Sequence, residues 1–174
     1  MKTIIQLDGR FVMRAWKRGE LQRWMDRGMS LADAMVEAYQ HRSMLRLDVA
    51  ENLVVNTGLY MAGDILIDVV NTGLTYQAIG TSNTAVAASD TTLVAEAARA
   101  QASARSRTGA VITVTTFFVA ADCTYNIKEV GIFGNAATAV ADSGTLFSRA
   151  LLNEDNSAGA NDLTFDYELT IANG

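Results

Sequence analysis

Few of the 174 residues carry groups able to make or break a bond. There is one cysteine, Cys123, and one histidine, His41. A single cysteine excludes an internal disulfide and a CxxC redox or zinc site. A single histidine excludes most His-rich metal sites and most Ser/His or Cys/His nucleophile arrangements. Cys123 stands between two expected strands with no histidine near it in sequence, so it reads as a structural thiol. His41 falls at the end of an expected helix and reads as a favourable charge at a helix C-terminus. The acidic stretch from Glu154 to Asp162 lacks the DxDxDG order of a calcium loop, and a solvated strand connection accounts for it. Gly58, Gly63, Gly73 and Gly80 show neither GxGxxG nor GxxxxGK[ST] spacing at a strand-to-helix junction, so they read as turn residues. No catalytic set, cofactor site or metal site is expected.

Two groups of residues remain. Arg14, Trp16, Lys17, Arg18, Trp24 and Arg27 mix cations with tryptophan near the N-terminus. That mixture suits phosphate contact and base stacking, but it also suits protein interfaces, where Trp and Arg dominate hot spots. The net charge of −5 and the core-like spacing of the tryptophans favour docking over nucleic acid. The second group is internal: Asp90, Glu96, Arg99, Glu129 and Arg149. Glu129 lies in an otherwise apolar segment, and pairing an acid with Arg99 or Arg149 would satisfy an expensive buried charge.

The elements that must position these groups divide into two populations. Residues 1–44 hold eight basic groups against five acids, whereas the other 130 residues hold six against fourteen. Such asymmetry marks an element with its own contact surface. Residues 11–25 are expected to form a helix ending at Gly28, and Ser30 caps a second helix with Asp33 three residues on. The apolar stripe of that helix is Leu31, Ala34, Met35, Ala38 and Tyr39. Residues 1–45 are therefore expected to be a helical docking element built as an αα-hairpin.

From about residue 46 the period becomes two. Strands are expected at 52–55, 64–70, 74–79, 110–119, 125–133, 145–152 and 162–171, with a hairpin turn at Asn71-Thr72-Gly73. The segment Asp162–Ile171 alternates cleanly, as a half-solvated antiparallel strand does. The alanine-rich stretch 89–101 reads as one helix capped by Ser89 or Asp90. Gly80 lets the chain leave a strand sharply, and Gly131 inside a strand marks close backbone approach. The fold class expected is mainly β: an antiparallel β-sandwich over residues 46–174 with one short helix, preceded by the helical hairpin.

Composition agrees with a soluble globular chain kept in the cytoplasm: 49% of residues are hydrophobic and 19% charged. No run of about 18 apolar residues occurs, so no membrane-spanning segment is expected, and Lys2 and Asp8 bring charge too early for a signal peptide. Proline is absent, which leaves edge strands able to pair with neighbours.

One stretch matches a known pattern. Ile79-Gly80-Thr81-Ser82-Asn83-Thr84-Ala85, Asp90-Thr91-Thr92-Leu93, Glu96 and Arg99 precede a Thr/Val-rich strand. Ile127-Lys128-Glu129-Val130-Gly131-Ile132-Phe133, Leu146-Phe147-Ser148-Arg149 and the alternating strand Leu163–Ile171 then follow in order. Over about residues 74–171 this resembles a β-rich module of tailed-bacteriophage virion proteins, found in tail-fibre attachment regions and in small neck, collar or baseplate components. The resemblance implies a non-enzymatic structural protein, located in the virion after assembly in the host cytoplasm. Its partners would be further copies of itself, in a symmetric oligomer, and other virion proteins or fibres. Gly80, Asp90, Glu96, Arg99, Glu129, Gly131 and Arg149 would specify the fold. Because the chain stops just after the final strand, it is expected to be a complete small component rather than the start of a fibre. Deleting residues 1–44 is expected to leave the β module folded and to impair incorporation. The alternatives are a carbohydrate-binding β-sandwich, a capsid decoration protein and, least supported by spacing, a hydrolase using paired acids. A carbohydrate site would need exposed aromatic platforms, yet both tryptophans fall in the expected helical segment.

Overall fold

A computed structural model describes residues 5–69 and 73–173. The chain is mainly β, and its described strands form one antiparallel sheet of nine in the order β4-β3-β7-β8-β2-β1-β9-β6-β5. In chain order these are β1 (Ile5–Lys17), β2 (Met44–Val54), β3 (Tyr76–Gly80), β4 (Glu96–Gln101), β5 (Ala104–Thr108), β6 (Val111–Phe118), β7 (Asn126–Gly134), β8 (Thr145–Asp155) and β9 (Asn161–Asn173). Three short helices, α1 (Glu20–Met25), α2 (Leu31–Gln40) and α3 (Asn56–Leu66), lie between β1 and β3. No described helix is long and apolar enough to cross a membrane.

The sheet curls. β2 pairs with β1 through Met44–Glu51 and then with β8 through Asn52–Val54, so it turns from one half of the sheet to the other. The two end strands, β4 and β5, are separated only by Ala102 and Ser103, whose N–H groups bond to Thr75 and Thr115 on opposite halves. The inner faces therefore meet around one core. Phe11 and Met13 of β1, Phe165 and Tyr167 of β9 and Phe118 of β6 pack against Ile79, Ile127, Val130 and Ile132 of the other half. The amide of buried Gln77 on β3 ties the halves together by donating to the Val114 carbonyl at 2.8 Å.

Several expectations need correction. Residues 11–17 are not helical. They belong to β1, which pairs with β9 along its whole length and lies inside the sheet. Phe11, Val12, Met13, Ala15 and Trp16 are all buried, because the core covers one face and the helical pair covers part of the other. An apolar run buried on both sides does not alternate, so periodicity cannot separate it from a helix. The helical pair is only residues 20–40, inserted between β1 and β2. Removing residues 1–44 would take a central strand with it, so the β module is not expected to survive that deletion.

The helix expected at 89–101 is instead an irregular segment followed by β4. Gly80 opposes Glu96 and Ile79 opposes Ala98, which leaves Ala97 as the extra residue of a β-bulge. Residues 64–66 end α3 rather than start a strand, and the turn expected at Asn71-Thr72-Gly73 lies largely outside the described residues. Strand β5 was not anticipated. Strands β6 to β9 fall where alternation places them, and Ser30 caps α2, its hydroxyl accepting from the Asp33 N–H at 3.2 Å. The polar face of β9 is not half-solvated along its length, since Asp162, Thr164 and Asp166 are buried.

Candidate docking interface

The charged residues of the β module resolve into two internal ties. Glu129, fully buried on β7, accepts from Arg149 Nε of β8 at 2.8 Å and from the N–H groups of Val94 and Ala95 at 3.1 and 2.8 Å. Arg149 also donates to Asp90 at 2.9 Å and to the carbonyl of Thr84 at 2.9 Å. Together they strap residues 84–95 across the sheet, with Leu93 lying on Gly131, where a Cβ would come within 2.9 Å of it. Gly80 serves the same strap: a Cβ there would sit 2.5 Å from the Glu129 carboxylate. Asp90 caps no helix; it accepts from Ala87 N–H and from Arg149.

In the second tie, the bulge at Ala97 brings Glu96 and Arg99 to one face, where they pair at 2.6 Å with both side chains almost wholly buried. Arg99 lies over the Phe133 ring and donates to the carbonyls of Thr138 and Ser143, holding the loop after β7. Each buried ion has a partner of opposite sign and further hydrogen bonds. That meets the condition for tolerating charge in an interior.

The N-terminal cluster divides differently. Trp16 projects from β1 on the outer face and is 1% exposed, its Nε1 donating to Thr164 at 3.0 Å beneath α1 and α2. Trp24 of α1 is buried as well, with Arg23 and Arg27 over its ring at 4.9 and 4.7 Å. The tryptophans expected at a docking surface therefore glue the helical pair to the sheet. Arg14 pairs with Asp166 at 2.5 Å, and Arg18 reaches the Gly159 carbonyl, while Lys17 and Arg27 remain exposed. Asp162 accepts from the N–H groups of Gly19 and Ala120, fastening both flanking turns. Burial raises its carboxyl above the ordinary range, against the lowering effect of those two bonds.

The surface left exposed is apolar. Val36 and Tyr39 of α2 and Leu45, Leu47 and Val49 of β2 are all open to solvent. Between α2 and the outer sheet face runs a groove of about 530 Å³, with Met35, Tyr39 and Leu47 on its walls and the Arg14–Asp166 pair in its lining. Arg42 and Arg46 are exposed nearby in sequence. Tyr39 belongs to the expected stripe of α2 but faces outward, whereas Leu31, Ala34 and Ala38 are buried. The role of β2 was missed. Its signal is the alternation Leu45, Leu47, Val49 against Arg46, Asp48 and Ala50, apolar on the face that the core does not use.

The remaining reactive groups are enclosed or engaged. Cys123 is buried, its pKa pushed up to about 12 by burial, and its Sγ points at the Val119 carbonyl at 3.3 Å. His41 closes α2 with Nδ1 2.9 Å from the Glu37 carbonyl. The end of β8 and the loop after it are not simply solvated: Glu154 and Asn156 are buried, and Asn156 donates to the carbonyls of Cys123 and Asn161. Among the described residues no group of three or more His, Cys, Asp or Glu side chains is placed to hold a metal ion. Comparison with protein-family models, with curated proteins and with solved structures gives no match in any of the three.

Proposed function

We propose that this chain is a non-enzymatic structural component of a tailed-phage particle, in the tail, the neck and collar, or the baseplate. It assembles as a symmetric oligomer and docks to other virion proteins or fibres. In this reading the two facing halves of the curled sheet act as the layers of a β-sandwich. The observation that carries the proposal is how the charged residues of the module are used. Asp90, Glu96, Arg99, Glu129 and Arg149 are joined in ion pairs that hold loops, while α2 and β2 leave an apolar face exposed. Exposed apolar patches rimmed by polar residues mark protein interaction sites. The resemblance over residues 74–171 supplies the kind of assembly.

The docking contact is the α2–β2 face. Tyr39→Asp and Leu47→Asp place unpaired charge where a partner would exclude water, at sites whose side chains are already solvated in the free chain. Both variants are expected to fold with unchanged circular dichroism and to be lost from particles purified on a density gradient. Wild-type levels of both variants in the particles would overturn the assignment of this face.

A further inference from the structure

A second apolar surface lies elsewhere, at the open end between the sheet halves. There α3 leaves a groove of about 550 Å³ whose walls are almost entirely apolar, including Leu59, Leu66, Ile112, Leu169 and Ile171. The helix is apolar on its solvent side as well, with Tyr60, Leu66 and Ile67 at 69%, 80% and 70% exposure. At ~100° per residue, Gly58 and Met61 face inward, Leu59 and Leu66 form the flank toward the groove, and Asp64 falls on the opposite flank. Gly58 and Met61 are buried, in keeping with that assignment.

The two borders of this surface carry opposite charge. On the groove side stands β5, where Arg105 opposes Val114 and Arg107 opposes Ile112, so both arginines share the face of the groove-lining residues. On the far side of the helix stands Asp64, with exposed Asp68 following in the turn that closes α3. None of these four has an ion-pair partner among the described residues. The surface therefore runs basic, apolar, acidic. A two-fold axis parallel to the groove carries the basic border of one copy onto the acidic border of the other and lays the two helices together. An isologous contact needs that self-complementarity.

We infer that the α3 surface binds a second copy of this chain, as a two-fold pair. The inference gives the self-association in the proposed function a definite face, separate from the α2–β2 docking face, and its test uses no particle.

The full chain is measured by sedimentation velocity over a concentration series. A dimer is expected, weakened by high salt because three of the four border charges are exposed and Asp64 is partly so. Arg105→Glu with Arg107→Glu makes both borders acidic, and Asp64→Arg with Asp68→Arg makes both basic. Each double variant alone is expected to self-associate at least about tenfold more weakly, since like charges then face each other. An equimolar mixture of the two is expected to recover the dimer as a heterodimer. That recovery also shows that both variants are folded. A wild-type chain that stays monomeric, charge variants that dimerise as the wild type does, or a mixture that fails to pair would each overturn the inference. So would a dimer lost in Tyr39→Asp but kept in Leu66→Asp, because it would seat the second copy on α2 and β2. Wild-type incorporation of Tyr39→Asp and Leu47→Asp into particles, with an intact dimer, would count against the docking face alone.

Discussion

Glu129 and Arg149 show what a single charged residue does here. Both side chains are fully buried, and each is the other's main compensation. Arg149→Met keeps much of the volume but leaves Glu129 without its counter-charge in the interior, with only backbone N–H groups to hold it. We expect it to cost about 3–5 kcal/mol of unfolding free energy, read from the urea midpoint, with the strap over residues 84–95 opening to hydrogen exchange. The acid that caps two turns gives a second test. Burial raises the Asp162 carboxyl above its ordinary 3.8, so the native state holds this proton more tightly than the unfolded chain. Its contribution to stability is thus fully present below that ordinary value and is lost as pH rises through the raised native one. Buried Glu154 titrates in the same direction. Asp162→Asn removes one such group, so the stability of the wild type relative to the variant should increase as pH falls toward about 4. Parallel stability–pH curves for the two proteins would show that Asp162 does not titrate differently on folding.

At the scale of elements, α3 turns a general rule around. Replacing a helical glycine by alanine ordinarily stabilises by ~1 kcal/mol. Gly58, however, packs its Cα onto the backbone of Phe147 in β8, and a Cβ would overlap the Phe147 carbonyl. Gly58→Ala is therefore expected to destabilise by about 1–3 kcal/mol, measured by thermal or urea unfolding; a stabilised variant would mean that α3 does not sit on β8. The same element shows why part of the fold was hidden in the sequence. Ile65, Leu66 and Ile67 read as a strand because they are apolar and partly β-branched, and only the contact through Gly58 and the Thr57 hydroxyl on the Leu146 carbonyl shows the helix. Strands β6 and β9 were legible because Val114, Phe118, Phe165 and Tyr167 alternate with polar residues. Strand β1 was not, because Trp16 is buried on the face opposite Phe11 and Met13. The alanines of β4 carry helix propensity, yet pairing with β3 and the buried Glu96–Arg99 pair override it.

At the scale of the whole molecule, the pairing of acids with Arg99 and Arg149 was readable from residue type alone, because an unpaired charge in an apolar strand is untenable. The exposed faces were not readable. Whether Tyr39 or Trp16 meets solvent depends on which side of β1 the helical pair covers, and local sequence does not encode that. The resulting architecture has buried ions tied to one another and two apolar surfaces left open, one on α2 and β2 and one on α3. In the proposed function both surfaces are covered by other proteins. The most direct test is an image reconstruction of intact phage particles assembled with a tagged copy of this chain. The account predicts tag density at symmetry-related positions of the tail, neck or baseplate, with the α2–β2 face against a neighbouring protein. Particles that assemble without the chain, leaving it as a free monomer in the lysate, would contradict it.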